Sequence, residues 1–310
     1  MDLRQLSALT AVADHSSFSA AARALHTVQS NVSTHIANLE RELGTVLVDR
    51  ATGRLTDAGD LVVARARRVQ AELEALSADV ASSLGEISGI VRVGVIGTTG
   101  RWIVPKLLAD IGDAHPKVRL VVVDATTTSL LPQVANGSLD LAIVNLPALD
   151  PDVDAEVLFE EEHVVLVTVD HPLAGHDELQ LAELAGVPLL LEPPGTGFRD
   201  DLDADAARAG VVLEPLAEVD GMRLVASLAY QGYGAAILPA SAVVEWSDGS
   251  WRAVPLRGTT PRAVGLATPR RGRQSAPAKA VAEVIREAVR REVPGRTGLR
   301  LPGTPRGSGA

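Results

Sequence analysis

Residues Phe18 to Gly44 read FSAAARALHTVQSNVSTHIANLERELG, and two helices are legible in them. Ser16, Ser17 and Ser19 offer N-cap hydroxyls to Ala20–Leu25, a short helix of small residues. His26-Thr27 breaks it. From Val28 to Leu43 the apolar residues Val32, Ile36, Leu39 and Leu43 recur at helical spacing, so this face is expected to turn inward. Gly44 then ends the helix as its C′ residue. Upstream, Leu3, Leu6, Leu9 and Val12 predict a first amphipathic helix over residues 2–14. The outward face of the third helix carries Gln29, Ser30, Asn31, Ser33, Thr34, His35, Asn38 and Arg41. Short amides and hydroxyls near a helix N-terminus can reach base edges and phosphates in a major groove. The same spacing also describes a solvated face on a small helical module.

Specific strings go further. Phe18-Ser-Ala-Ala-Ala-Arg-Ala-Leu25, Gln29-Ser-Asn-Val-Ser33, Ile36-Ala-Asn-Leu-Glu40 and Glu42-Leu-Gly44 resemble the winged helix-turn-helix of LysR-type transcriptional regulators. Leu55-Thr-Asp-Ala-Gly59 is similar to that family's exit from the wing into a linker helix. The resemblance implies double-stranded DNA as partner, 28–43 as recognition helix and 50–54 as wing. It nominates Ser19, Gln29, Ser30, Asn31, Ser33, Thr34, His35, Asn38, Arg50 and Arg54 as DNA-contacting residues. The chain departs from the family at Ser30, where proline is common, and at His35, Ala37 and Asn38, where basic residues are common. Its wing is about two residues short. Fewer phosphate contacts mean less counterion release, so DNA affinity is expected to depend on multivalency.

The charge along the chain agrees with separate modules. The net charge of the 310 residues is −10, yet residues 1–70 set eight arginines against seven carboxylates, and residues 270–310 set ten basic residues against three glutamates. The acid is concentrated between them. A length of 310 residues with 46% hydrophobic content suggests about two domains with real cores. The absence of cysteine excludes a disulfide scaffold, a thiol nucleophile and thiolate metal ligation. With 3% aromatic residues, base-stacking platforms for single strands are not expected. No apolar run reaches the roughly 18 residues of a membrane span, and MDLRQLSALTAVAD lacks the plan of a signal peptide. The expectation is a cytoplasmic protein with no membrane partner.

Residues 57–84 contain no proline, and their only glycine, Gly59, stands near the start. Val62, Val69 and Leu76 are seven apart, as are Ala66, Leu73 and Val80, and the two sets interleave as a coiled-coil seam. This seam predicts self-association as a dimer, although one helix packed on its own domain fits the same spacing. The family resemblance implies subunit pairing here and extends it to a tetramer.

After Gly85-Glu-Ile-Ser-Gly89 the period changes. Val91–Val95, Leu120–Val123, Leu141–Val144 and Val164–Val169 are continuous apolar runs, with helical patterns at Trp102–Ile111 and Ser129–Ala135. A second series places helices near Leu179–Leu184, Arg199–Ala209 and Met222–Ala229, and strands at Pro188–Leu191, Ala217–Val219 and Ala235–Leu238. Alternating strand and helix indicates open α/β sheets in two halves, which bind ligands beyond the carboxyl ends of their strands. Those ends carry Gly97-Thr-Thr-Gly100, Thr126-Thr-Thr-Ser129, Asn145, Gly195-Thr-Gly-Phe-Arg199 and Asp220-Gly-Met222. Several stand at helix N-termini, which suit a carboxylate or other small anion; the hydroxyls also serve as N-caps. Arg199 and Arg223 are near enough to pair with such an anion.

Ile103-Val-Pro-Lys-Leu-Leu108, His115-Pro-Lys-Val-Arg-Leu120, Gly137-Ser-Leu-Asp-Leu-Ala-Ile143, His171-Pro-Leu-Ala174 and Gly232-Tyr-Gly-Ala-Ala-Ile-Leu-Pro239 resemble the LysR-type effector domain. The resemblance implies a periplasmic-binding-protein-like α/β fold of two subdomains, hinged near Glu161–Val164 and Arg262–Thr268. It implies a small-molecule effector in a cleft lined by Thr98, Thr99, Gly100, Thr126, Asn145, Thr196, Phe198 and Met222. The expected organisation is a winged helix-turn-helix over 1–59, a linker and dimerisation helix over 60–88 and an effector-binding domain over 89–293. Within that domain, subdomain I takes about 89–162 and 268–293 and subdomain II about 163–267; a disordered tail follows over 294–310.

A dinucleotide-binding oxidoreductase is the main alternative, because Gly94-Val-Ile-Gly97-Thr-Thr-Gly100 follows a strand and Asp124 ends the next. The glycines read G-x-x-G-x-x-G, however, and the tight turn lacks its second glycine. His163, Asp170, His171, His176 and Asp177 fit no common metal spacing and are expected in surface loops. Neither G-x-S-x-G nor a Walker A loop is present. No catalytic residue, metal or cofactor is assigned.

Overall fold

The computed structural model describes residues 1–243 and 249–304. Helix α1 (Leu3–His15) opens on a reciprocal cap: the Gln5 N–H donates to Asp2 and the Asp2 N–H to Gln5 Oε1, both at 2.9 Å. Ser17 caps α2 (Phe18–Ala24), and α3 (Gln29–Leu43) stops at Gly44 in the left-handed region. Leu9, Val12, Val32, Ile36 and Leu39 form the core between these helices, joined by Leu47 and Val48. Leu43 does not join them. It is 41% exposed, because the last turn of α3 runs past the core. A bridge between Val48 and Leu55 closes the wing.

Helix α4 (Asp57–Ser83) starts against this core. A Cβ on Gly59 would lie 2.1 Å from the Leu47 carbonyl oxygen, so only glycine allows this approach. Val63 and Ala66 are buried in the same core, and Val62 packs beside them. Beyond that point α4 leaves the module, and Val69, Leu73, Leu76 and Val80 are exposed.

The remainder forms two six-stranded sheets. The first takes β1 (Gly89–Val95), β2 (Val118–Asp124), β3 (Leu141–Asn145) and β4 (Val153–Glu161), with α5 (Gly97–Ala114) and α6 (Thr127–Ala135) as crossovers. The second takes β5 (His163–Thr168), β6 (Leu179–Gln180), β7 (Pro188–Leu191), β8 (Glu214–Glu218), β9 (Ala235–Pro239) and β10 (Trp251–Arg257). Helices α7 (Gly197–Arg208) and α8 (Met222–Tyr230) belong with it. The chain then returns to the first sheet through β11 (Arg262–Pro269), α9 (Ala276–Glu292) and β12 (Leu299–Arg300). β1 pairs in parallel with β2 and β3, and β7 with β8 and β9. β11 runs antiparallel between β3 and β4. The inner strands β1, β3, β7 and β9 are buried on both faces, which is why most of them read as continuous apolar runs.

Three further expectations are corrected, and one strand was not foreseen. Leu179–Leu184 is a two-residue strand followed by a 3₁₀ turn, because its leucines plug the second core without making a full helical face. β10 escaped the sequence reading because its burial alternates and Pro255 interrupts it. The return crossing falls ahead of β11, so residues 262–267 belong to the first sheet and not to subdomain II. The segment after Glu292 is ordered at least to Thr304: a 3₁₀ turn over Val293–Gly295 leads into β12, which pairs antiparallel with β4. Its Gly, Pro and Arg content suggested disorder, but backbone pairing and a buried Val293 fix it. The part of the expected tail beyond 304 lies outside the described residues.

Candidate functional site

Two sites emerge, one on the N-terminal module and one where the two sheets meet. On the first, Ser19, Gln29, Ser30, Asn31, Thr34, Arg50 and Arg54 are exposed, while Ser33, His35 and Asn38 are half-buried. The exposed set is partly preorganised. Ser19 Oγ donates to Gln29 Oε1 at 2.6 Å, which ties α2 to the first residue of α3. Asn31 Nδ2 donates to Thr27 Oγ1 at 2.9 Å, and Arg41 donates to Asn38 Oδ1 at 2.8 Å. Arg50 stands 5.0 Å over the Phe18 ring and donates to Glu40 Oε2 at 2.8 Å. Burial works to raise the Glu40 pKa, but the N–H groups of Leu47 and Val48 together with Arg50 bring it below the ordinary value. Glu40 therefore anchors the wing to α3. Arg54 makes no ion pair among the described residues, and its charge is presented at the wing.

The second site lies where the two sheets meet. β4 passes into β5 through Glu162, and β10 into β11 through residues 258–261. At this hinge Glu161 is fully buried, and Arg262 Nε donates to its Oε1 at 2.8 Å. Arg262 Nη2 also donates to Thr98 Oγ1 at 3.0 Å, while the Ser241 N–H donates to Glu161 Oε2 at 2.8 Å. Strands β4 and β11, the N-terminus of α5 and the turn after β9 thus meet on one buried ion pair. Further out, Arg223 on α8 pairs with Asp124 at the end of β2 and lies over Gly97. This ion pair bridges the subdomains.

Of the sequence-nominated cleft residues, Thr98 and Thr99 are buried in the first turn of α5, and Thr99 Oγ1 has no hydrogen-bond partner. Gly100 packs towards Val95, a helix-to-strand contact. Thr126 is exposed and bonded to Thr128 and Ser129. The Asn145 N–H donates to Thr127 Oγ1 at 2.9 Å, while its side-chain Oδ1 is buried without a partner. Met222 is half-buried beside Arg223. Phe198 packs into the second core and meets the His163 ring edge-on at 5.3 Å. Thr196 donates to the Pro193 carbonyl at 3.0 Å, a local turn contact.

Three readings change. His163 is not in a surface loop: it begins β5 and is 6% exposed, and neither ring nitrogen has a partner. Burial, with the Arg262 charge added, pushes its pKa down to about 4. Neither nominated arginine is a free anion ligand. Arg199 is buried and bonded to Asp203, Glu218 and the Glu192 carbonyl, and Arg223 is committed to Asp124. Glu192 faces the N–H groups of Gly221 and Met222 at the start of α8; burial, then Asp220, raises its pKa. Glu161 and Arg262 were expected only as bounds of the hinge strands and not as an ion pair, and Ser241 and Glu192 were missed altogether. Their only signal was a charge bordering an apolar strand, as in Glu160-Glu-Glu-His-Val-Val165.

The comparisons with known proteins agree with this architecture. The model described as bacterial regulatory helix-turn-helix protein, lysR family, matches residues 3–60, and that of the LysR substrate binding domain matches residues 84–290. A probable hydrogen peroxide-inducible genes activator of Streptomyces viridosporus is 32% identical over 93% of this chain and 94% of its own. The DNA-binding transcriptional dual regulator OxyR of Escherichia coli is 31% identical, over 95% and 97%. The structure of a full-length OxyR cysteine-to-aspartate variant from Pseudomonas aeruginosa superposes with a TM-score of 0.73 at 26% identity, covering 94% of this chain and 95% of that one. CbnR, a LysR family transcriptional regulator, shares the fold with a TM-score of 0.68 at 23% identity, covering 93% and 99%. Two family models on two structurally separate modules leave one conclusion: the chain belongs to the LysR family of DNA-binding transcriptional regulators, with an N-terminal helix-turn-helix and a C-terminal effector-binding domain.

Proposed function

We propose that the chain works in the cytoplasm as a homodimeric or tetrameric one-component regulator, without catalysing a reaction. The α3 face led by Gln29, Ser30, Asn31 and Thr34 enters the major groove, and Arg50 and Arg54 contact phosphates beside it. The observation that carries this is the contiguous exposed polar face of α3, anchored at its first residue by Ser19. Pairing runs along the bare seam of Val69, Leu73, Leu76 and Val80, whose exposure supports a second copy as its cover. Among the described residues no helix is long and apolar enough to cross a membrane.

The effector sits between the two sheets, with Thr98, Thr99, Thr126, Asn145, Phe198 and Met222 on its borders. Unpartnered polar atoms on Thr99, Asn145 and His163 support a polar ligand there. Several relatives are named hydrogen peroxide-inducible activators, and the Pseudomonas structure carries a substitution at a cysteine. This chain has no cysteine, and its two methionines, Met1 and Met222, hold its only sulfur atoms. A cysteine-thiol switch is therefore excluded, which supports a bound molecule as the signal. With Arg223 and Arg262 already paired, and Glu192 and Asp220 at the start of α8, the cleft favours a hydrogen-bond donor or a cation over a carboxylate.

The test is binding of the full chain to its own upstream DNA, over a salt series and against scrambled DNA. Sequence-selective binding with a steep salt slope is the expected result. Equal affinity for scrambled DNA overturns the α3 assignment. Sedimentation at micromolar concentration checks the seam, and a monomer there rules it out. Thermal-shift screens of small amines against small carboxylates check the effector class, with stabilisation by amines expected.

A further inference from the structure

The matched effector-domain model ends at residue 290, and the segment beyond it is bound to the hinge. After the 3₁₀ turn, Arg296 lies 4.6 Å over the Trp102 ring on α5. The Glu162 N–H, midway between β4 and β5, donates to the Gly298 carbonyl at 2.8 Å. Leu299 packs against the core of the first sheet and also against the α8 face of the second. Arg300 Nε donates to Glu160 Oε2 at 2.8 Å. One short segment therefore touches subdomain I, subdomain II and the crossing between them. Gly298 makes the fit possible. Its φ is +78°, and a Cβ there would lie 2.7 Å from the Ala240 Cβ.

The same segment is the end of a rod. Helix α9 has 17 residues and so runs about 25 Å at 1.5 Å per residue. At its far end the Ala276 N–H donates to Asp79 of α4 at 2.7 Å, and its first turns pack near Gly89 and Ala78. At its other end it is tied to α5 by Arg291 and Asp110, at 2.8 Å.

We propose that residues 296–301 are a hinge strap: they restrain the opening of the two subdomains, and through α9 they pass hinge movement to the linker helix α4. A strap holding both sides in one arrangement favours the closed cleft, and any change of closure must move or release it. Helix α9 is packed along its length, so release at one end is felt at the Asp79 contact at the other.

The cysteine-free chain permits a direct test. Asp113→Cys on α5 and Asp201→Cys on α7 are exposed sites on opposite subdomains and would carry a spin-label pair. Distances are measured in the full chain, in a chain ending at Pro294 and in Gly298→Val; the last keeps the test intact if truncation impairs folding. The expected result in the variants is a longer, broader distance distribution. Amide exchange at Glu162 should be about 5-fold faster or more, the loss of one hydrogen bond, and exchange at Ala276 should rise with it. An unchanged distance distribution overturns the strap. Faster exchange at Glu162 with Ala276 unmoved overturns the coupling to α4. Neither readout depends on knowing the effector or the operator.

Discussion

The helix-turn-helix and the hinge cleft are both polar surfaces backed by apolar cores, yet they are built from opposite kinds of contact. Ser19 and Gln29 are ten residues apart, and so are Glu40 and Arg50. At the hinge, Glu161 and Arg262 are 101 residues apart, and Thr98 and Arg262 are 164 apart. The first site forms whenever three short helices pack. The second exists only when both sheets are complete and the chain has crossed between them twice. The first site rests on contacts within one module, whereas the hinge gathers β4, β11, α5 and the turn after β9 on one buried ion pair.

The largest expected effect follows from that pair. Glu161→Ala leaves Arg262 without its buried counter-charge, and breaking such a pair costs about 3–5 kcal/mol. Amide exchange in the second core and at Phe159 should accelerate accordingly, while amides at Ile36 and Leu39 keep their protection. If the two sets accelerate together, the modules unfold as one unit and the contrast between them fails.

Acid should separate the modules next. His163 is held neutral, with a folded pKa of about 4 against 6.5 for the free side chain. Arg262 reinforces the effect of burial and Glu161 opposes it. A lowered folded pKa means that the unfolded chain takes up the proton first. The stability is present above pH 6.5 and is lost as pH falls towards 4, by about 3 kcal/mol in all. His171, also lowered by burial, adds in the same direction, while Glu192 and Asp140, both raised by burial, oppose it. Glu40 on α3 is lowered too, so its contribution is lost only below the usual carboxylate range of about 4.5. Urea midpoints between about pH 6.5 and 4.5 should therefore fall for the effector domain and stay level for the helix-turn-helix. In His163→Phe most of the slope should disappear; a slope that persists would assign it to other groups.

The same contrast explains how much was legible beforehand. Helices α1 and α3 announced themselves by local periodicity, β3 and β7 by uninterrupted apolar runs, and β1 by valines on either side of Arg92. Gln29 could be nominated because it stands on the polar side of a helix whose other side is fixed by Val32, Ile36 and Leu39. Arg262 could not. Nothing in its neighbouring sequence signals a partner at Glu161, because their meeting depends on β11 returning beside β4. β12 was hidden for a similar reason: its Gly-Leu-Arg-Leu-Pro surroundings order only because an open edge of β4 is there to receive them. The arginines nominated for the effector failed on charge, since a cation near a cleft in sequence is often taken by a nearby acid in space.

On the DNA side, Gln29→Ala removes both a base-reading amide and the acceptor of Ser19. If Gln29 reads a base, specific affinity should drop by about 1–3 kcal/mol while non-specific affinity and the salt slope stay the same. Ser19→Ala, which keeps the amide but frees it, should lose less. Equal losses on specific and scrambled DNA would move Gln29 from recognition to packing.

The smallest effect should come from Thr98→Val, which preserves shape and removes one oxygen. Arg262 keeps Glu161, so the lost acceptor should lower effector-domain stability by only about 1 kcal/mol, read as a modest shift in urea midpoint. DNA affinity should stay largely intact, because the core that sets the α3 face is made by Leu9, Val32, Ile36 and Leu39 and not by hinge residues. The useful quantity is the spin-label distance between the subdomains. Thr98, Arg262 and Glu161 all belong to the first subdomain, and the ion pair meets the second through the Ser241 N–H; without Thr98, Arg262 is held less firmly where Glu161 takes that bond. A wider distribution with DNA affinity intact would place the residue in the closure equilibrium. A narrow distribution with the same stability loss would make Thr98 a helix-end support, and Arg262 would then act through Glu161 alone.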